Sequence, residues 1–92
     1  MKKCLKILVV GKVQDPTFKV HVQKNAGQLG LEGILQNGED QNVVIFVRGG
    51  NSDLDVFVDD LYKDAPKHKI QNIISEPFTQ EKEFRGVFRI IE

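Results

Sequence analysis

From Leu5 to Val10 the chain is almost wholly apolar, interrupted only by Lys6, and it stops at Gly11. A short run of branched residues bounded by a turn signal predicts a central strand. The apolar spacing then lengthens, with Phe18, Val22, Ala26 and Leu29 forming one stripe of an amphipathic helix over Phe18–Leu29. Gly30 suits the position after the helix end, and Leu31 supplies the hydrophobic contact that often accompanies such a cap. Leu31–Asn37 and Asn42–Arg48 are strand-like runs flanking the polar turn Gly38-Glu39-Asp40-Gln41, the pattern of a β-hairpin. Gly49-Gly50 closes the second run. Asn51-Ser52 offers an N-cap to a second helix carrying Leu54, Phe57, Val58 and Leu61 on one face, with Asp53 and Asp55 at its positive end. Asp59 and Asp60 lie nearer its negative end and gain nothing from it. Ala65-Pro66 ends that helix, and His68–Ser75 reads as a strand through Ile70 and Ile73. Glu76–Glu83, polar and containing Pro77, reads as a loop, and Phe84–Ile91 as a last strand with Phe88 and Ile90 on one face.

The order β-α-β-β-α-β plus one terminal strand predicts an α+β, ferredoxin-like split βαβ sandwich. Right-handed crossovers place both helices on one face of an antiparallel five-stranded sheet. Phe18, Val22, Ala26 and Leu29 are then expected to pack on that face beside Leu54, Phe57 and Leu61.

A chain of 92 residues forms one domain, 1–92, and contains no internal repeat or linker. Thirteen basic and thirteen acidic residues cancel, which argues against nucleic acid or an anionic membrane as partner, since both require a clustered basic face. The lone Cys4 cannot form an internal disulfide, and a cytoplasmic location is expected. The N-terminal run from Cys4 to Val10 is too short and too charged for a signal sequence or a membrane span. A monomer is expected; no feature points to a protein partner.

The segment Gly11-Lys12-Val13-Gln14-Asp15-Pro16-Thr17-Phe18-Lys19, with Asn37 downstream, resembles the active-site signature of acylphosphatases, which reads Gly-x-Val-Gln-Gly-Val-Gly-Phe-Arg followed by a distant Asn. Gly11, Val13, Gln14 and Phe18 match the frame. The resemblance extends through Ala26, Leu29-Gly30-Leu31, Gly33, Asn37, Asp40, Gly49, Phe57, Leu61, Pro66 and Phe88. It implies hydrolysis of carboxyl-phosphate anhydrides to carboxylate and phosphate, with no metal, cofactor or protein nucleophile. Gln14, Asp15, Pro16, Thr17 and Phe18 correspond to the phosphate loop, Lys19 to the phosphate-binding arginine, and Asn37 to the asparagine that orients the attacking water. Such a site works by positioning and by stabilising moving charge.

The departures fall on that chemistry. Lys19 keeps a positive charge but lacks the planar fork that grips two phosphate oxygens. Pro16 has no N–H to donate, and losing one preorganised donor from a comparable anion hole lowers rate by about 10²–10³. Asp15 sets a carboxylate where the phosphate is to bind, opposing it by about 3 kcal/mol per phosphate charge at roughly 6 Å and an effective dielectric near 20. Ile34 stands where the family commonly has tryptophan. The expected activity toward a small acyl phosphate or other anion is therefore weak or lost. The alternative is a non-catalytic binding or interaction module on the same scaffold.

Asp-Pro is also a strong helix start, because the carboxylate accepts free amides and proline's φ is already helical. Two forms of the loop follow: Asp15 filling its own amides, or an open loop that accepts phosphate. His21 and Asn25, spaced i, i+4, make a poor metal site and read as a solvated helix face. His68 reads as surface, and Asn37 before Gly38 is also ordinary turn chemistry. Arg85-Gly86-Val87-Phe88 resembles part of an RNA-recognition motif but falls in the wrong strand.

Overall fold

The computed structural model describes residues 2–64, 69–79 and 84–91. The expected helix stop at Ala65-Pro66, the reading of His68 and the residues Gln80–Glu83 of the expected loop lie outside them. The elements are β1 (Lys2–Gly11), α1 (Pro16–Gln28), β2 (Glu32–Asn37), β3 (Val43–Gly50), α2 (Asn51–Asp64), β4 (Ile70–Pro77) and β5 (Phe88–Ile91). They form a five-stranded sheet in the order β4-β1-β3-β2-β5 with both helices on one face. Among the described residues no helix is long and apolar enough to cross a membrane.

Alternation along each strand decides what each face holds. Ile7 and Val9 of β1, Leu35 of β2, and Val43, Ile45 and Val47 of β3 are fully buried against the helices. There they meet Phe18, Val22 and Ala26 of α1 and Leu54, Phe57 and Leu61 of α2, with Leu29 packed at the margin. Helix α1 ends as its glycine implies: Gly30 takes φ +68, its N–H donates to Gly27 O at 3.2 Å, and Leu31 N–H donates to Ala26 O at 2.9 Å. That paired pattern is a Schellman cap, and Leu31 is buried beneath it. Helix α2 begins at Asn51 itself, directly from β3, so the expected capping pair lies inside its first turn.

The sheet is mixed, not purely antiparallel. β1 pairs antiparallel with β3 and β4, and β3 with β2, but β5 runs parallel to β2. The register supplies the reason. Pro77 pairs with Leu5, Leu5 with Val47, Val47 with Gly33, and Gly33 with Phe88. β4 thus ends at the level where β5 begins on the opposite edge. A chain crossing at that level must leave along β2.

Two boundaries differ from expectation. Glu76 and Pro77 extend β4 instead of opening a loop; proline is tolerated there because β4 is an edge strand. Phe84–Val87 precedes β5 instead of forming part of it. Arg85 and Gly86 hold φ +56 and +72, and the Gly86 N–H donates to Glu32 Oε2 at 2.6 Å. Glu32 is itself buried and lies 3.5 Å from Arg48 Nη1. Phe84, Ile34 and Phe46 form a second small core on the face away from the helices, with Phe78 stacked obliquely on Phe46 at 4.9 Å between ring centroids. Gly33 lets β2 and β3 lie close, since a Cβ there would meet Phe46 O at 1.9 Å.

Candidate active site

The segment between β1 and α1 is built by three attachments to the β2–β3 turn. Gly11 ends β1 at a register shift with φ +144, and a side chain there would run into Lys69 O at 2.5 Å. Its N–H donates to Asn42 Oδ1 at 3.0 Å. The Val13 N–H donates to Gln41 O at 3.1 Å while its side chain is fully buried. Gln14 then donates through Nε2 to two carbonyls, Gly38 O at 3.1 Å and Asn42 O at 2.9 Å. The turn it grips is tight: Gly38 N–H donates to Asn42 O at 2.8 Å, and Asp40 and Gln41 adopt φ +53 and +77. Nothing in the local pattern around Asn42 marks it as a structural hub, because its partners lie 31 and 28 residues away.

Beyond Gln14 the chain becomes a helix start. Asp15 is extended at φ −100 and ψ 130, Pro16 is the first helical residue, and Asp15 Oδ1 accepts from Thr17 N–H at 3.2 Å. The carboxylate therefore occupies an amide of its own loop. Lys19 N–H donates to Asp15 O at 3.1 Å, closing the first helical turn. Pro16 contributes no donor, and the amides of Val13, Thr17 and Lys19 are already engaged. Asp15, Pro16 and Thr17 are exposed, Phe18 is anchored in the core, and Lys19 is buried to 4% exposure.

Of the sequence-picked residues, Gln14 is brought beside Asn37, while Lys19 is fixed by its backbone to Asp15 within the first helical turn. Asn37 is exposed at the end of β2, and its neighbour Gly38 accepts the Gln14 amide. Frame residues Gly11, Val13, Gln14 and Phe18 thus hold the loop through bulge, backbone pairing, side-chain clamp and core anchor. The non-matching residues Asp15, Pro16 and Thr17 form its outer lip.

Other candidates resolve as structure. His21 is not on a wholly solvated face: its Nε2 contacts Asp64 Oδ2 across the two helices and lies 3.3 Å from Asn25 Nδ2. Among the described residues no three of His, Cys, Asp and Glu are grouped to hold a metal. Phe88 is buried in the main core, 6.4 Å from Phe57 between ring centroids, so it offers no stacking surface to a base.

The chain is a two-layer α+β, ferredoxin-like sandwich whose first strand–helix loop is clamped to a hairpin turn. The family model described as Acylphosphatase matches residues 5–90. An acylphosphatase of Thermotoga petrophila is 33% identical over 79 residues, covering 86% of this chain and 88% of that one. One from Mannheimia succiniciproducens is 30% identical over 83 residues, covering 90% and 91%. The crystal structure of acylphosphatase from Bacillus subtilis superimposes over the whole of both chains with a TM-score of 0.85 at 27% identity. The chain belongs to the acylphosphatase family.

Proposed function

We propose that this protein binds small acyl phosphates at the Gln14–Lys19 loop and hydrolyses them far more slowly than a member with the full signature. The observation that carries this reading is the Asp15 carboxylate on the Thr17 amide, with Pro16 beside it. A helix N-terminus draws anions through free N–H groups and the positive end of its dipole. Here one of those groups is absent and another already holds an internal anion, so an incoming phosphate competes with Asp15. Lys19 supplies the phosphate cation and Asn37 the amide that orients water for attack in line with the leaving carboxylate. Charge on the transferring phosphoryl group is met by a single-point cation and a reduced set of amides, which lowers transition-state stabilisation.

The test is steady-state hydrolysis of benzoyl phosphate by wild type and by the quadruple variant Asp15→Gly, Pro16→Val, Thr17→Gly, Lys19→Arg. The variant is expected to gain at least about 10²-fold in kcat/KM, the size of one restored anion-hole donor. A wild type already as fast as an ordinary acylphosphatase overturns the reading. So does a folded variant with no gain, and the non-catalytic binding module is then what remains.

A further inference from the structure

Both rims of the sheet carry the same device. β4 and β5 are the edge strands, and an edge presents N–H and C=O groups that a further strand can join. Along β4 these groups alternate between β1 and the outside. The Phe78 N–H, just beyond β4, donates to Cys4 O on β1. The pairing runs unbroken from Leu5 with Pro77 to Val10 with Asn72, so Ile73, Ser75 and Pro77 turn their main-chain groups outward. Those of Ile73 are already taken: its N–H donates to Asn72 Oδ1 at 2.9 Å, and its C=O accepts from Tyr62 Oη of α2 at 3.4 Å. Pro77 has no N–H to offer. On the other rim the Gly33 N–H donates to Val87 O, which turns Phe88 outward, and Phe88 O accepts from Gln23 Nε2 of α1 at 3.2 Å. Each helix sends one polar side chain over the rim onto a carbonyl that faces out. Charge does not guard β4, because its one charged residue, Glu76, lies 4.0 Å from Lys6 on the neighbouring strand, and Ile74 is left exposed.

We propose that Tyr62 and Asn72 are edge guards, which keep β4 from pairing with the β4 of a second copy of this chain. A second copy is the partner this edge fits. About a two-fold axis at Ile73 two β4 strands run antiparallel, Ile73 exchanges both its bonds with its own counterpart, and Gln71 does so with Ser75 of the copy. On the open face of the sheet Ile74 then meets the copy's Asn72 directly and its Ile74 on the diagonal, within reach of side-chain contact. In the wild type such pairing must first strip Tyr62 and Asn72 from Ile73, so bonds already made are exchanged for new ones and little is gained. Without the guards the same groups face water and are open to a strand. β5, with four residues, is the shorter edge, so β4 is where the guards decide the outcome.

The test is self-association of the full chain, by sedimentation equilibrium from micromolar to millimolar concentration, for wild type, Tyr62→Phe, Asn72→Ala and the double variant. Circular dichroism checks the fold, and hydrogen exchange at the Ile73 and Ser75 amides reports the surface used. Each substitution acts twice in a symmetric pair, so at about fivefold per hydrogen bond the double variant should self-associate at least about 10²-fold more tightly than wild type. Its Ile73 and Ser75 amides should gain protection as concentration rises. Ser75→Pro added to the double variant removes an outward donor, leaves the β1 ladder intact, and should restore wild-type behaviour. Tyr62→Phe keeps the ring and loses only the hydroxyl, and should by itself tighten association at least about tenfold. The proposal is overturned if Tyr62→Phe gains nothing, or if the folded double variant associates no more tightly than wild type. A dimer that leaves the Ile73 and Ser75 amides unprotected and survives Ser75→Pro overturns it as well.

Discussion

Replacing Asp15 by asparagine separates its two roles, because asparagine caps a helix as well as aspartate does but carries no charge. The hydrogen bond to Thr17 N–H is kept, so stability should change little. What is removed is repulsion. A phosphate sharing this turn of amides sits roughly 6 Å from the carboxylate, and the Coulomb energy there is about 0.7 kcal/mol per phosphate charge in water-like dielectric and about 3 at a dielectric near 20. Asp15 is exposed, which favours the lower limit and corrects the larger figure expected from sequence. For a dianion this gives about 1.4 kcal/mol, or about tenfold in kcat/KM and in inhibition by inorganic phosphate. The assay is benzoyl phosphate hydrolysis with phosphate as competitor, at low ionic strength and at about 1 M salt, where the screening length falls to about 3 Å. The gain should shrink to near nothing in high salt. Asp15→Ala is the companion: it also frees the Thr17 amide, and it should lower stability by about 1 kcal/mol, or roughly 4–8 °C in a domain of this size. If Asp15→Asn alters neither phosphate inhibition nor kcat/KM at low salt, the carboxylate is not what opposes the substrate. A gain that survives high salt undiminished would refute the electrostatic account of it.

Gln14→Ala removes two hydrogen bonds between the loop and the β2–β3 turn. Urea unfolding should show a loss of about 1–2 kcal/mol, with faster hydrogen exchange at the Val13 and Gly38 amides. Gly33→Ala forces a Cβ to within 1.9 Å of Phe46 O, and backbone cannot give way there without parting β2 from β3. The expected loss is about 3 kcal/mol or more, read by denaturation and by lost cross-strand NMR contacts between Gly33 and Val47, and a variant as stable as wild type would contradict the close packing described.

The linear chain carried more of the fold than of the site. Branched runs, helical stripes and Gly30 depend on neighbours within one or two turns, so β1, α1, the hairpin and α2 were legible, as was the Asp15–Pro16 helix start with its cap on Thr17. The frame Gly11, Val13, Gln14 and Phe18 falls on the segment between β1 and α1, but the pattern does not say what each residue does there. Gln14 and Asn42 reach carbonyls and amides more than twenty residues distant, and no local spacing encodes such a partner. The parallel direction of β5 was equally hidden, because alternation reports which face a strand buries and is the same whichever way the strand runs. Only the level at which β4 ends, set by its pairing with β1, decides that direction. The exposure of Asp15 and the burial of Lys19, four residues apart on one helix start, likewise arise from where α1 lies on the sheet. Charge and residue type belong to the sequence; the solvent around each charge, and hence its strength, belongs to the fold.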